Sequence, residues 1–187
     1  MSQSPLPFVP DHIRPLRREE YDKLIALGAF QDEKIELLEG LLVKMSPIGA
    51  PHSSCVDVLN ELLLPRLLGR ARVRIQQPFA ALDLSEPEPD VAVVPSGSYD
   101  AAHPEKAYLV IEVAESSLSV DRGVKLLLYA KCGVPEYWIV NIAEKTIEVY
   151  TAPGDGTYAN VARYQRGQSL RLTQFPDIEV HVSDVMR

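Results

Sequence analysis

The chain has 187 residues, 46% of them hydrophobic and 24% charged, with a formal net charge of −7, a balance that fits one soluble globular domain. A domain of this size buries well over half of its unfolded surface, so it needs neither disulfides nor a structural metal to fold. The acidic balance disfavours a dedicated nucleic-acid binder with a broad basic face, while leaving room for an enzyme that engages nucleic acid in a local basic cleft.

Residues 1–17 carry four prolines, Pro5, Pro7, Pro10 and Pro15, and read as an extended arm. They lack the basic start and apolar run of a signal peptide. No stretch of about 18 apolar residues suggests a membrane-spanning helix. Cys55 and Cys132 lie far apart without CxxC spacing, as expected for reduced thiols in a cytoplasmic protein. Residues 18–187 are expected to form a single domain.

Arg18 to Leu27 shows the apolar stripe of a helix. Residues 34–46 read as a hairpin turning at Glu39-Gly40, and Pro47, Gly49 and Pro51 as chain breakers. A helix is expected over 52–69, with Pro65 kinking or ending it and Gly69 as its stop. Strands are expected over 72–80 and 90–94. A polar loop follows, and then a central strand over 107–115. A helix to Gly133 comes next, followed by strands over 136–141 and 146–152, a tight turn at 154–156 and two or three antiparallel edge strands. Exposed edges near 146–172 suit pairing between two copies of the chain, hence a homodimer. From residue 52 the order is helix, three strands, helix, strand. This predicts an α/β fold with an αβββαβ core, in which a mixed sheet has helices on both faces and a right-handed crossover.

Carboxylates inside apolar strands are costly unless paired, hydrogen-bonded or metal-bound. Asp90 opens DVAVV and Glu112 sits within LVIEVA. On neighbouring strands they would repel each other unless a cation or a proton lay between them. Mg²⁺, held by one or two carboxylates with its other positions left to water and phosphate oxygens, suits such a pair. Lys125 lies on the following helix, four residues after Asp121, so it either pairs with Asp121 or reaches the carboxylates. His52 at a helix start, Glu36 and Glu39 around the hairpin, and Gln77 (or its neighbour Gln76) before Asp90 are further candidates. Tyr129 and Trp138 read as core aromatics, and His12, His103 and His181 as surface residues. Arg66, Arg70, Arg72 and Arg74 form the best local phosphate-contacting patch, with Arg72 and Arg74 on one face of a strand.

Taken together, EPD at 88–90, LVIEVAESS at 109–117, Asp121-x-x-x-Lys125, Tyr129 and GVPEYWIVN at 133–141 resemble a large bacterial family within the restriction-endonuclease-like PD-(D/E)XK superfamily. The upstream ELLEGLLVKMSP and His52 fit the same pattern, and the likeness spans about residues 20–186. It implies that Asp90 and Glu112 bind Mg²⁺ (or Mn²⁺). Ala114 stands where the motif has lysine, and Lys125 fits the version in which the lysine has moved to the next helix. The expected activity is metal-dependent endonucleolytic cleavage of nucleic acid, with DNA as the substrate. The alternative is a catalytically silent binding or assembly module on the same fold.

Overall fold

The computed structural model describes residues 14–186. Most of the expected N-terminal arm, His12 included, lies outside the described residues.

Helix α1 (Arg18–Ala26) starts where Glu20 accepts the Arg17 N–H at 3.0 Å, and Glu19 and Glu20 complement its N-terminal dipole. Strands β1 (Ile35–Leu38) and β2 (Leu41–Lys44) pair antiparallel around Glu39-Gly40. Both turn residues have positive φ, 48° and 79°, the two-residue turn that matches strand twist.

Helix α2 (Ala50–Leu67) buries His52, Cys55, Leu59 and Leu63. It begins two residues earlier than expected. Pro51 is no breaker there, because it occupies the first turn, where a missing N–H costs nothing. Nor does Pro65 end the helix. It lies in the last turn on an exposed face, where the carbonyl it leaves free can meet water.

Strands β3 (Arg72–Ile75), β4 (Val91–Val94) and β5 (Leu109–Ala114) follow. The expected strand over 72–80 ends at Ile75, because Gln76 takes a φ of 49° and Pro78 cannot donate to a ladder. After β5, the expected uniform helix is α3 (Leu118–Val120), a π-helical turn (Asp121–Lys125) and α4 (Leu126–Lys131). Gly123, at φ −101° and ψ −105°, is the non-helical point. Then come β6 (Glu136–Asn141), β7 (Thr146–Gly154), β8 (Thr157–Gln165), β9 (Ser169–Arg171), β10 (Glu179–His181) and the short α5 (Val182–Val185).

The main sheet runs β3-β4-β5-β6-β7-β8, and only the β5–β6 pair is parallel. That parallel pair requires the crossover through α3 and α4. Alternation assigns the two faces. Val91, Val93, Ile111, Val113 and Trp138 pack with α2 and the C-terminal segment. Ala92, Val94, Val110, Tyr137 and Ile139 pack with Leu128 and Tyr129 of α4 and with Leu38 of the hairpin. Glu112 falls on the second face, under the hairpin and α4. No helix among the described residues is long and apolar enough to cross a membrane.

Candidate active site

The β4–β5 register pairs Val91 with Ile111. One more step along both strands sets Asp90 opposite Glu112. Asp90 stands just before β4, buried, and three donors fix its carboxylate. The Val113 N–H reaches Oδ2 at 2.8 Å, His52 Nε2 lies 3.0 Å from Oδ2, and Gln76 Nε2 reaches Oδ1 at 3.2 Å. Glu112 Oε1 accepts from Lys125 Nζ at 3.1 Å and from the Tyr129 hydroxyl at 2.7 Å. Lys125 Nζ also lies 3.2 Å from Glu36 Oε2, and the π-helical turn that carries it brings in Asp121, which accepts from Ser117 Oγ at 2.5 Å. Glu36, His52, Asp90, Glu112, Asp121 and Lys125 line one cavity of about 160 Å³.

The charges in this cavity are unbalanced. Four buried carboxylates face one buried lysine and one buried histidine, with the exposed Lys44 at the cavity lining. Burial pushes the Glu112 carboxyl well above the ordinary range; Lys125 opposes the shift, and Asp121, Asp90 and Glu36 add to it. Burial likewise raises Asp121 to about 6, against the pull of Lys125. Burial works against the charge of Lys125, yet Glu112, Glu36 and Asp121 together hold its pKa above the usual lysine value. His52 is also raised, chiefly by its bond to Asp90. Among the described residues, no three His, Cys, Asp or Glu side chains form a ready-made metal cage. The donor set nonetheless fits Mg²⁺, which needs only one or two carboxylates and keeps several waters. Asp90 and Glu112 are the residues that could hold it.

His52, Glu36 and Asp121 therefore stand beside Asp90, Glu112 and Lys125. Lys125 contacts Glu112 and Glu36, while Asp121 bonds to Ser117. Two expectations need correction. Gln77 is exposed, and Gln76 holds Asp90 instead, because its positive φ turns the chain at that point. Glu39 lies in the exposed hairpin turn and meets Lys131 at 3.3 Å, away from the cavity. Tyr129 is fully buried, as a core aromatic should be, but its hydroxyl belongs to the site. Its place four residues after Lys125, on the same helical face, was the available signal. His181 is exposed and His103 half-buried. The arginine patch divides. Arg70 forms a bidentate pair with Asp177 at 2.7 and 2.9 Å, and Arg66 donates to the Leu62 carbonyl. Arg72 and Arg74 flank the Tyr99 ring.

A second cavity, of about 760 Å³, lies between α1 and the loop over 99–105. Glu86 lines it, raised to about 7 by burial and by Asp22. Between about pH 4.5 and 7 the folded state therefore holds more protons on this group than the unfolded chain does, and stability falls as pH rises. Glu86→Gln removes that slope and stabilises the protein above pH 7. Thermal melts of both proteins across this range check it, and parallel curves would contradict it.

A family model described as "Uma2: Putative restriction endonuclease" matches residues 18–183. No curated protein matches the chain. Among solved structures, the chain is similar to a "putative nuclease belonging to DUF820" from Anabaena variabilis. The two share 19% identity over 91% of this chain and 97% of that one, at a TM-score of 0.70, which supports a common fold.

Proposed function

The chain belongs to the Uma2 family, and from that premise we propose that it is a Mg²⁺-dependent endonuclease that hydrolyses phosphodiester bonds, with DNA as its substrate and Mn²⁺ able to replace Mg²⁺. The observation that carries the reading is the Lys125 ammonium bound to Glu112 in the cavity that also holds Asp90.

When bound, the metal supplies charge neutralisation at the phosphate and a water acidified toward neutral pH. Asp90 and Glu112 would hold it. Gln76, His52 and the Val113 N–H keep the Asp90 carboxylate from rotating. Tyr129 does the same for Glu112. Lys125 is a three-donor ammonium. Two donors face Glu112 and Glu36, and the third, which has no partner among the described residues, can orient the attacking water or meet the charge that grows on the phosphate. The two free cysteines accord with a reducing cytoplasm, and the outer edge of β8 is open to a second copy, so we read the protein as a cytoplasmic homodimer.

Incubation with supercoiled, linear duplex and single-stranded DNA, and with RNA, tests the reading. Cleavage of DNA that requires Mg²⁺ or Mn²⁺ and stops with chelator is expected. The competing reading, a silent binding module suggested by the net charge of −7, predicts no cleavage with any substrate.

A further inference from the structure

We propose that Arg74, together with Arg72 and the Tyr99 ring, forms a subsite for a backbone phosphate of the nucleic-acid substrate. The inference rests on the nuclease reading above. Arg72 and Arg74 are two positions apart on β3, so they share one face of the sheet. Val73 and Ile75 pack into the α2 side, which leaves the two arginines on the face that carries Glu112. Across the ladder Arg74 pairs with Ala92, a residue too small to cover it.

Arg74 is only 9% exposed, yet among the described residues its Nε has no hydrogen-bond partner. Among the described residues no carboxylate offsets its burial, and the nearby charge of Arg72 works against it. A lysine so placed would lose its proton, but a guanidinium keeps its charge at any working pH. Burial without a partner is costly, so an anion is the missing element. The Tyr99 ring centre lies 5.5 Å from the Arg74 guanidinium and 5.7 Å from that of Arg72, within cation–π range. The Tyr99 hydroxyl, bonded to the Pro95 carbonyl at 2.7 Å, fixes the ring. Two guanidinium forks are thus held at one ring with no counterion among the described residues, and a phosphate matches a guanidinium fork bidentately. Arg70 differs, because its fork already pairs with Asp177, and Arg66 sits on the exposed face of α2, where it donates to the Leu62 carbonyl.

The position suits a substrate contact. Gln76, which bonds to Asp90, lies two residues beyond Arg74 on the chain, and Arg74 pairs across the ladder with Ala92, two residues beyond Asp90, so the subsite and Asp90 lie along the same pair of strands.

Anisotropy of a fluorescein-labelled DNA duplex in chelator, across a salt series, tests the subsite separately from cleavage. Arg72→Gln and Arg74→Gln should each weaken binding roughly tenfold. Each should also reduce the salt slope by about 0.9. Arg66→Gln should change neither quantity. Arg74→Gln should also keep the wild-type melting temperature, since it removes a buried charge that has no partner. Arg72 is exposed, so its variant reports on the subsite whatever Arg74→Gln does to folding. Unchanged affinity and slope in both β3 variants, or no binding by the wild type, would overturn the proposal. Arginine-dependent binding without cleavage in Mg²⁺ would keep the subsite and remove the nuclease reading; cleavage with arginine-independent binding would do the reverse.

Discussion

Asp90→Asn should lower Mg²⁺-dependent cleavage by roughly 10³-fold or more, equivalent to about 4 kcal/mol of lost transition-state stabilisation. Asparagine has nearly the shape of aspartate, and its carbonyl can still accept the Val113 N–H. What disappears is the charge that would hold the cation. The melting temperature without metal should stay within a few degrees of wild type, while the upward shift on adding Mg²⁺, which follows from binding to the folded state alone, should vanish. Asp90→Ala differs instructively. It also strands the donors of Val113, Gln76 and His52 in a buried site, adding about 1–3 kcal/mol of destabilisation per unsatisfied group. Single-turnover rates and melts of both variants check this. An Asp90→Asn protein that cleaves at the wild-type rate would exclude Asp90 as a ligand.

Lys125→Met should remove cleavage and also destabilise the fold. The ammonium is the one cation within 3.2 Å of both Glu36 and Glu112 among the described residues. Removing one partner of a buried ion pair costs about 3–5 kcal/mol, or roughly 10 °C for a chain of this size. The carboxylates left behind can respond in two ways. Protonation becomes easier, since Lys125 is the group that opposes the rise of Glu112 and Asp121. A divalent cation can also take over the neutralising role. Saturating Mg²⁺ should therefore restore much of the lost melting temperature without restoring cleavage, because a lysine that orients water or phosphate has no substitute. Lys125→Met/Glu112→Gln, with one carboxylate fewer to leave unpaired, should melt above Lys125→Met alone. If Lys125→Met melts like wild type, the ammonium does not neutralise this cluster.

Much of this arrangement was readable in the amino-acid order, for physical reasons. Asp90 and Glu112 stood out because a charge inside an apolar strand demands a partner. Glu39-Gly40 announced a hairpin because glycine accepts the positive φ of a tight turn and apolar runs flank the pair. Other features depend on tertiary placement. Glu36 and Glu39 are three residues apart, and only the strand–turn boundary decides that the first is buried and the second faces Lys131. The choice between Gln76 and Gln77 followed strand alternation, and alternation fails where Gln76 turns to positive φ. The π-helical turn over 121–125 is an irregularity that helical periodicity averages away, and only Gly123 hinted at it. Tyr129 satisfied a core pattern and a site role at once, so its burial masked its hydroxyl. The four arginines share one stretch of sequence, and only the place of β3 at the sheet edge beside Tyr99 separates Arg72 and Arg74 from Arg66 and Arg70.

The central claim is that Asp90 and Glu112 jointly hold a divalent cation, and anomalous diffraction from crystals soaked in Mn²⁺ measures that directly. The account predicts an anomalous peak in the cavity, bonded to a carboxylate oxygen of each residue at about 2.1 Å, with Lys125 Nζ still beside Glu112. A Mn²⁺-saturated crystal with no peak there, and with Lys125 still bridging Glu36 and Glu112, would contradict it.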